Sequence, residues 1–188
     1  MGERNTCKVI GIAGGSGSGK TTFCHALATS LKGLRVRTLS TDDYFKEVKP
    51  SVHAPYNGKV YADYDHPNSV DMDKLNQDIC YLTSSGMVDV LLIEGLMVLY
   101  VQKLREKLDL KVFVDCPSDE RLVRRLRRDM HEESFRDISS EYLDLVRHRH
   151  HEFVEPTKWH ADIILNGSNP TETSIAVVRE WILSHLRV

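Results

Sequence analysis

The sequence predicts an α/β domain, a parallel sheet with helices on both faces. Three observations predict it. Short apolar, β-branched runs alternate with segments of helical periodicity along the chain. The most apolar run, VDVLLI over Val88–Ile93, lacks an alternating polar face, as in a strand covered on both sides. A glycine-rich turn, GGSGSGKTT, separates the first strand from the first helix.

The elements follow in order. Cys7–Ala13 (CKVIGIA) reads as a buried strand. Lys20–Lys32 has helical spacing, and Gly33 suits its C-terminal end. Val36–Ser40 is the second strand. Residues 43–70 are polar, aromatic and irregular, with Pro50, Pro55, Gly58 and Pro67. Asp71–Thr83 reads as a helix, Val88–Ile93 as a strand, Leu99–Leu108 as a helix and Lys111–Val114 as a strand. Asp119–His131 is a very basic helix and Ser139–Phe153 another. Ile163–Leu165 is the last strand, and Asn169-Pro170 opens the final helix, with asparagine as cap and proline in the first turn. Two excursions, at 43–70 and 128–140, are long for a compact domain, and such segments usually carry function. No repeat or linker divides the chain, so one domain over 1–188 is expected.

Composition narrows the classes. The chain has 188 residues, 41% hydrophobic and 28% charged, enough for a packed core without metals or disulfides. A net charge of −2 provides no basic field for nucleic acid. Cys7, Cys24, Cys80 and Cys116 are scattered and form no C-x-x-C, so reduced thiols are expected, with Cys24 in the core. No apolar run approaches the roughly 18 residues of a membrane span. The opening MGERNTCKVIGIAGG lacks a signal-peptide layout, so a cytoplasmic protein is the expectation.

The glycines match G-x-x-x-x-G-K-[ST] from Gly14 to Thr21. A strand precedes the motif and a helix follows it, which is the context it requires. The loop Gly14, Gly15, Ser16, Gly17, Ser18, Gly19 can turn successive amides inward as an anion nest, and the helix N-terminus adds partial positive charge. Lys20 reaches toward the terminal phosphates, Thr21 offers a hydroxyl to Mg²⁺, and Thr22 extends the site. The loop is thus expected to grip a nucleoside triphosphate.

Three constellations bear on the chemistry. In Leu39-Ser-Thr-Asp-Asp-Tyr-Phe-Lys46, carboxylates lie at the C-terminal end of a strand, where ligands of parallel sheets bind. Asp42 and Asp43 are adjacent, so one of the two is expected to aim inward and orient an acceptor hydroxyl. Leu91-Leu-Ile-Glu-Gly95 ends the strongest strand with an acid suited to Mg²⁺. Arg121-Leu-Val-Arg-Arg-Leu-Arg-Arg-Asp129, with Arg136 beyond, offers guanidinium forks to phosphate oxygens. Other signals read as structural. His148 and His151 belong to a partly exposed helix rather than a metal site, and Trp159 and His160 are expected to pack. By analogy with folds of this kind alone, the Asn166–Asn169 loop is expected near the adenine.

Together these residues resemble the uridine–cytidine kinase family of P-loop kinases, with nicotinamide riboside kinases as more distant relatives. GGSGSGKTT, LSTDDYFK, YDHPNSVDMDKL, DVLLIEGLMVLY, VFVDCPSDERLVRRLRRD and EPTKWHADIIL carry the resemblance, in order, over nearly the whole chain. It implies a five-stranded parallel sheet flanked by helices, ATP and Mg²⁺ as cofactors, and a nucleoside-like small-molecule acceptor. It implies that Lys20 and the loop hold ATP, and that Thr21 and Glu94 serve Mg²⁺. Asp42 would activate the acceptor hydroxyl, with Lys20 and Arg128 completing the catalytic set. Asp65 would accept hydrogen bonds from ribose hydroxyls, Tyr64 would lie near the base, and Arg128 and Arg136 would belong to the lid and acceptor site. The family's habit of oligomerising makes self-association an expectation.

Three departures accompany the resemblance. Ser84-Ser-Gly-Met87 leads straight into Val88, leaving no room for the hairpin that encloses the base in typical uridine kinases. Tyr44-Phe45 reverses the usual Phe-Tyr order, so a tyrosine hydroxyl is missing at Phe45. The lid stretch MHEESF is also unusually acidic. The expected activity is therefore phosphoryl transfer from ATP to a hydroxyl, first the 5′-hydroxyl of uridine or cytidine. The alternatives are nicotinamide riboside or another small alcohol, or an ATP-binding regulatory protein that transfers nothing. A guanine-reading switch is disfavoured, because Thr157-Lys-Trp-His160 lacks the aspartate of N-K-x-D.

Overall fold

The computed structural model describes residues 7–54, 58–169 and 171–186. Residues 1–6, Pro55 and Pro170, on which sequence readings fell, lie outside the described residues. Five strands, β1 (Lys8–Ala13), β2 (Val36–Ser40), β5 (Val90–Gly95), β6 (Leu110–Asp115) and β7 (Ile163–Asn166), form one parallel sheet in the order β2-β5-β1-β6-β7. Two more, β3 (Ser51–His53) and β4 (Val60–Ala62), pair antiparallel outside it. The helices are α1 (Lys20–Ser30), α2 (Met72–Ser84), α3 (Gln102–Arg105), α4 (Ser118–Asp129), α5 (Phe135–Glu141), α6 (Arg147–Arg149) and α7 (Glu172–Leu186).

The apolar strands place a core on each face of the sheet. All six residues of β5 are buried. Leu91 and Ile93 pack on one face with Leu75, Ile79, Leu104 and Phe113. Leu92 packs on the other with Ile10, Ile12, Leu27, Val112 and Val178. Alternate residues of one strand thus feed opposite cores, which explains the unbroken apolar run.

Several elements differ from the sequence reading. The helix expected over Leu99–Leu108 shortens to Gln102–Arg105. Arg105 Nη1 donates to the carbonyls of Leu99 and Tyr100 at 2.7 Å each, so a side chain satisfies groups that a longer helix would have used. The excursion at 128–140 is mostly helical. Ser134 Oγ accepts from the Asp137 amide at 3.1 Å and caps α5, which begins at Phe135, four residues before Ser139. From Phe135 the helix continues through π turns (Tyr142–Val146 and His150–Val154) on either side of α6. At α7, Thr171 Oγ1 accepts the Ser174 amide at 3.2 Å, the capping role expected of Asn169. Trp159, 86% exposed, and His160, also exposed, do not pack inside. Thr157 is the buried residue of that turn, its hydroxyl held by the Val154 carbonyl at 2.7 Å.

Candidate active site

The strand register sets the centre of the site. β5 lies between β1 and β2, and Glu94 is level with Ile12 on one side and Ser40 on the other. Beyond Ala13 the chain turns through Gly14–Gly19 into α1. Gly17 and Gly19 have φ of 79° and 96°, the left-handed region that glycine adopts without strain. A methyl on Gly17 would also lie 2.6 Å from the Arg121 carbonyl oxygen.

Glu94, 4% exposed, is the hub. Its Oε1 accepts from Ser40 Oγ at 2.8 Å, and its Oε2 accepts from Thr21 Oγ1 at 3.2 Å. Lys20 Nζ lies 4.0 Å from the same Oε2. The last residues of two strands and the first of α1 therefore meet at one carboxylate. A hydroxyl and a buried carboxylate side by side are hard oxygen donors of the kind Mg²⁺ takes while keeping phosphate and water as its other ligands.

Ser40 also opens a 3-10 turn over Thr41–Tyr44, its Oγ accepting from the Asp42 amide at 3.4 Å. Asp42 and Asp43 are both exposed. The Asp42 charge favours the charged form of Arg128, whereas Asp43 acts on Tyr44. The reversed Tyr-Phe order has a structural reason. Tyr44 is buried and donates its hydroxyl to Asp78 Oδ2 of α2 at 2.7 Å. Phe45 instead meets the Tyr64 ring edge-on at 5.1 Å, with Lys49 Nζ 4.9 Å above Tyr64.

Beyond β4, Asp63 and Asp65 are both buried. Arg149 Nε donates to Asp63 Oδ2 at 2.8 Å. Burial pushes the Asp65 carboxyl up to about 6; Arg125 opposes the shift, Asp63 and Glu141 add to it, and Lys20 opposes it. Asp65 thus feels both the loop lysine and the basic helix.

The arginines of α4 have different partners. Arg121 is buried, with Nε on the Cys116 carbonyl at 3.0 Å. Arg124 Nη1 ties the phosphate loop to the loop after β7, reaching the carbonyls of Gly167 (2.9 Å), Ser18 (3.3 Å) and Gly17 (3.4 Å). Arg125 pairs with Glu141 at 2.6 Å. Arg128 is more exposed and pairs with Asp129 at 2.6 Å. Arg136 is exposed on the first turn of α5. A cleft of about 440 Å³ joins the loop residues Gly17–Thr22 to Arg124, Arg125, Arg128, Asn166 and Gly167. The loop after β7 thus shares the cleft with the phosphate loop. Sequence reading named the whole basic run but gave individual roles only to Arg128 and Arg136; the cleft adds Arg124 and Arg125. Their spacing from Arg121 and Arg128, three or four residues, places all four on one helix face and was the available signal.

Ser85–Asp89 joins α2 directly to β5, with no hairpin there. Asp89 is instead fixed by Arg35, whose Nη2 lies 2.6 Å from Oδ1. Cys24 is buried, and burial pushes its thiol up to about 12. Among the described residues no group of three histidines, cysteines or acids could hold a metal, and no helix is long and apolar enough to cross a membrane.

Comparison with known proteins gives the same picture. A uridine kinase of Staphylococcus epidermidis is 35% identical over 93% of this chain and 96% of its own. One of Lactococcus lactis is 31% identical over 95% and 97%. Among solved structures, a kinase assigned to a fructose transport system, from Silicibacter sp. TM1040, superposes with a TM-score of 0.64 at 16% identity, covering 85% of this chain and 89% of that one. A protein described as a possible uridine kinase, from Bacillus stearothermophilus, gives 0.56 at 20% identity, covering 86% and 89%. Both share the fold. The family model for phosphoribulokinase / uridine kinase matches residues 9–90 and 86–174, and the chain belongs to that family.

Proposed function

We propose that the chain is an ATP-dependent kinase, acting as a single domain, that transfers the γ-phosphoryl to the 5′-hydroxyl of a ribonucleoside, with uridine or cytidine first. The carrying observation is that the Glu94 carboxylate, between the phosphate loop and the strand end that leads to Asp42, accepts from Thr21 Oγ1 at 3.2 Å and from Ser40 Oγ at 2.8 Å, with Lys20 Nζ 4.0 Å away. One surface therefore serves donor and acceptor, as in-line transfer requires. In this reading the loop and Lys20 hold the triphosphate, and Arg124, Arg125 and Arg128 face its cleft. Thr21 and Glu94 would hold Mg²⁺, which neutralises phosphate charge when bound. Asp42 orients the hydroxyl and takes its proton, and Asp65 accepts from the sugar hydroxyls. Tyr64, with Phe45 at its edge, offers a face to the base. Arg136 would reach the acceptor through movement of α5. The reading carries with it a cytoplasmic location and self-association.

The test is ADP release with Mg²⁺–ATP and uridine, cytidine, adenosine, nicotinamide riboside, pantothenate or no acceptor. Stimulation by uridine or cytidine of at least about tenfold over the control is the expected result. The direct link from α2 to β5 favours a second reading, a changed acceptor, which would show as stimulation by another alcohol. Silence throughout, with ATP still bound, would favour a protein that binds and does not transfer.

Asp65 gives the reaction a pH dependence. Its folded pKa lies above the ordinary carboxylate value, so it ionises only as pH rises through about 6. Acceptor KM should therefore rise as pH falls through that value while the KM for ATP holds steady. The same raised pKa means that stability present below the unfolded value is lost as pH rises through about 6. Asp65→Asn should flatten the KM profile, raise acceptor KM at every pH and stabilise the free protein above pH 6. A pH-independent acceptor KM in the wild type would remove Asp65 from the acceptor site.

A further inference from the structure

The phosphate loop has a reverse side, and it carries a buried charge. Arg121 is 4% exposed, and its Nε donates to the Cys116 carbonyl at 3.0 Å. Its Nη1 is buried without a hydrogen-bond partner, and no carboxylate pairs with it among the described residues. His150, also buried, lies alongside, with Nε2 2.9 Å from Glu155 Oε2 and Nδ1 without a partner. Both side chains converge on Gly15. A methyl there would come 2.7 Å from Arg121 Nη1 and 2.9 Å from His150 Nδ1.

A guanidinium buried without a counter-charge destabilises a fold, and although Asp115, Asp119 and Glu155 line the same cavity as Arg121, none of them forms an ion pair with it among the described residues. Burial and the Arg121 charge push the His150 imidazole down to about 4, so it is neutral near pH 7. Glu155 is engaged by His150 and by Lys158, and Lys158 also reaches Asp115 at 3.0 Å. The Tyr142 hydroxyl donates to the Ser118 carbonyl at 2.9 Å. The one large anion expected at this place is the ligand on the other side of Gly15. At such depth the attraction across one peptide layer is weakly screened.

We propose that Arg121 is a positioning residue for the nucleotide, supplying from behind Gly15 the positive charge that balances the bound polyphosphate. It touches the loop and not the ligand, and the phosphates it balances are placed by the loop amides. The proposal rests on reading the loop as a triphosphate site.

The test compares wild type, Arg121→Met and Arg121→Lys by calorimetric titration with Mg²⁺–ADP and Mg²⁺–ATP, by thermal melting and by steady-state kinetics. Methionine fills similar space without charge. It should weaken both nucleotides at least about tenfold, as for loss of a charge-assisted interaction, and leave acceptor KM within about twofold. The melting temperature without nucleotide should stay or rise, because an unpaired buried charge has gone. Lysine should recover most of the lost affinity. A purely structural arginine gives the opposite result: Arg121→Met melts several degrees lower or does not fold. That result, wild-type affinity in Arg121→Met, or a loss that lysine does not repair would each overturn the proposal. A wild type that neither binds nor is stabilised by either nucleotide would overturn the reading of the loop, and the proposal with it.

Discussion

Asp42→Asn should leave Mg²⁺–ATP bound with an affinity within about twofold of wild type and lower kcat at least about a hundredfold, the usual range for an acid–base group. Ser40 couples Asp42 to the phosphate site: its hydroxyl donates to Glu94 and accepts from the Asp42 amide. The Asp42 backbone is therefore tied to the strand end that also orients Glu94. The Asp42 charge favours the charged form of Arg128, whereas the Asp43 charge acts on Tyr44. Asparagine keeps the shape and can still hydrogen-bond a hydroxyl, but it cannot take the proton as the phosphoryl arrives. Binding and chemistry should thus separate, which calorimetry and single-turnover kinetics measure together. Asp43→Asn is the control and should turn over within about threefold of wild type. If Asp43→Asn were the inactive variant and Asp42→Asn the active one, the two roles would be exchanged.

What was legible in the sequence was local, and what was not depended on distant partners. The apolar runs placed the strands of the parallel sheet to within a residue or two, because a strand covered on both faces shows its burial in its own composition. The loop from Gly14 to Thr21 was legible because its spacing is its mechanism. β3 and β4 were not, since three residues each are too few to show alternation. The early start of α5 was written in Ser134-Phe-Arg-Asp137, a capping pattern masked by the charged residues before it. At the site, Glu94 and Thr21 were legible from their places at a strand end and a helix start. The buried pair of Asp63 with Arg149, 86 residues apart, was not. Nor was the convergence of Arg121 and His150 on Gly15, because three separate elements meet there.

Glu94→Gln should lower turnover at limiting Mg²⁺ at least about a hundredfold, on the scale of losing one preorganised electrostatic contact at phosphoryl transfer. Glutamine fits the space and can keep one hydrogen bond to Ser40. It cannot keep the charge, and the charge has two dependents. Lys20 is mostly buried, with the Glu94 carboxylate 4.0 Å away as its partner. The Thr21 hydroxyl is held by the same oxygen that Lys20 faces. Losing the charge should therefore draw Lys20 more tightly to bound phosphate. Nucleotide measured without Mg²⁺ should bind as well as in wild type or better, while the Mg²⁺ concentration for half-maximal turnover rises. These opposite signs separate a role in handling Mg²⁺ from a role in folding. A structural glutamate would weaken nucleotide with and without Mg²⁺ and lower the melting temperature of the free protein. Its alanine variant should do worse than glutamine in one respect: it also removes the acceptor of the Ser40 and Thr21 hydroxyls, and the free protein should be less stable than Glu94→Gln by about 1–3 kcal/mol, the cost of buried polar groups left unsatisfied.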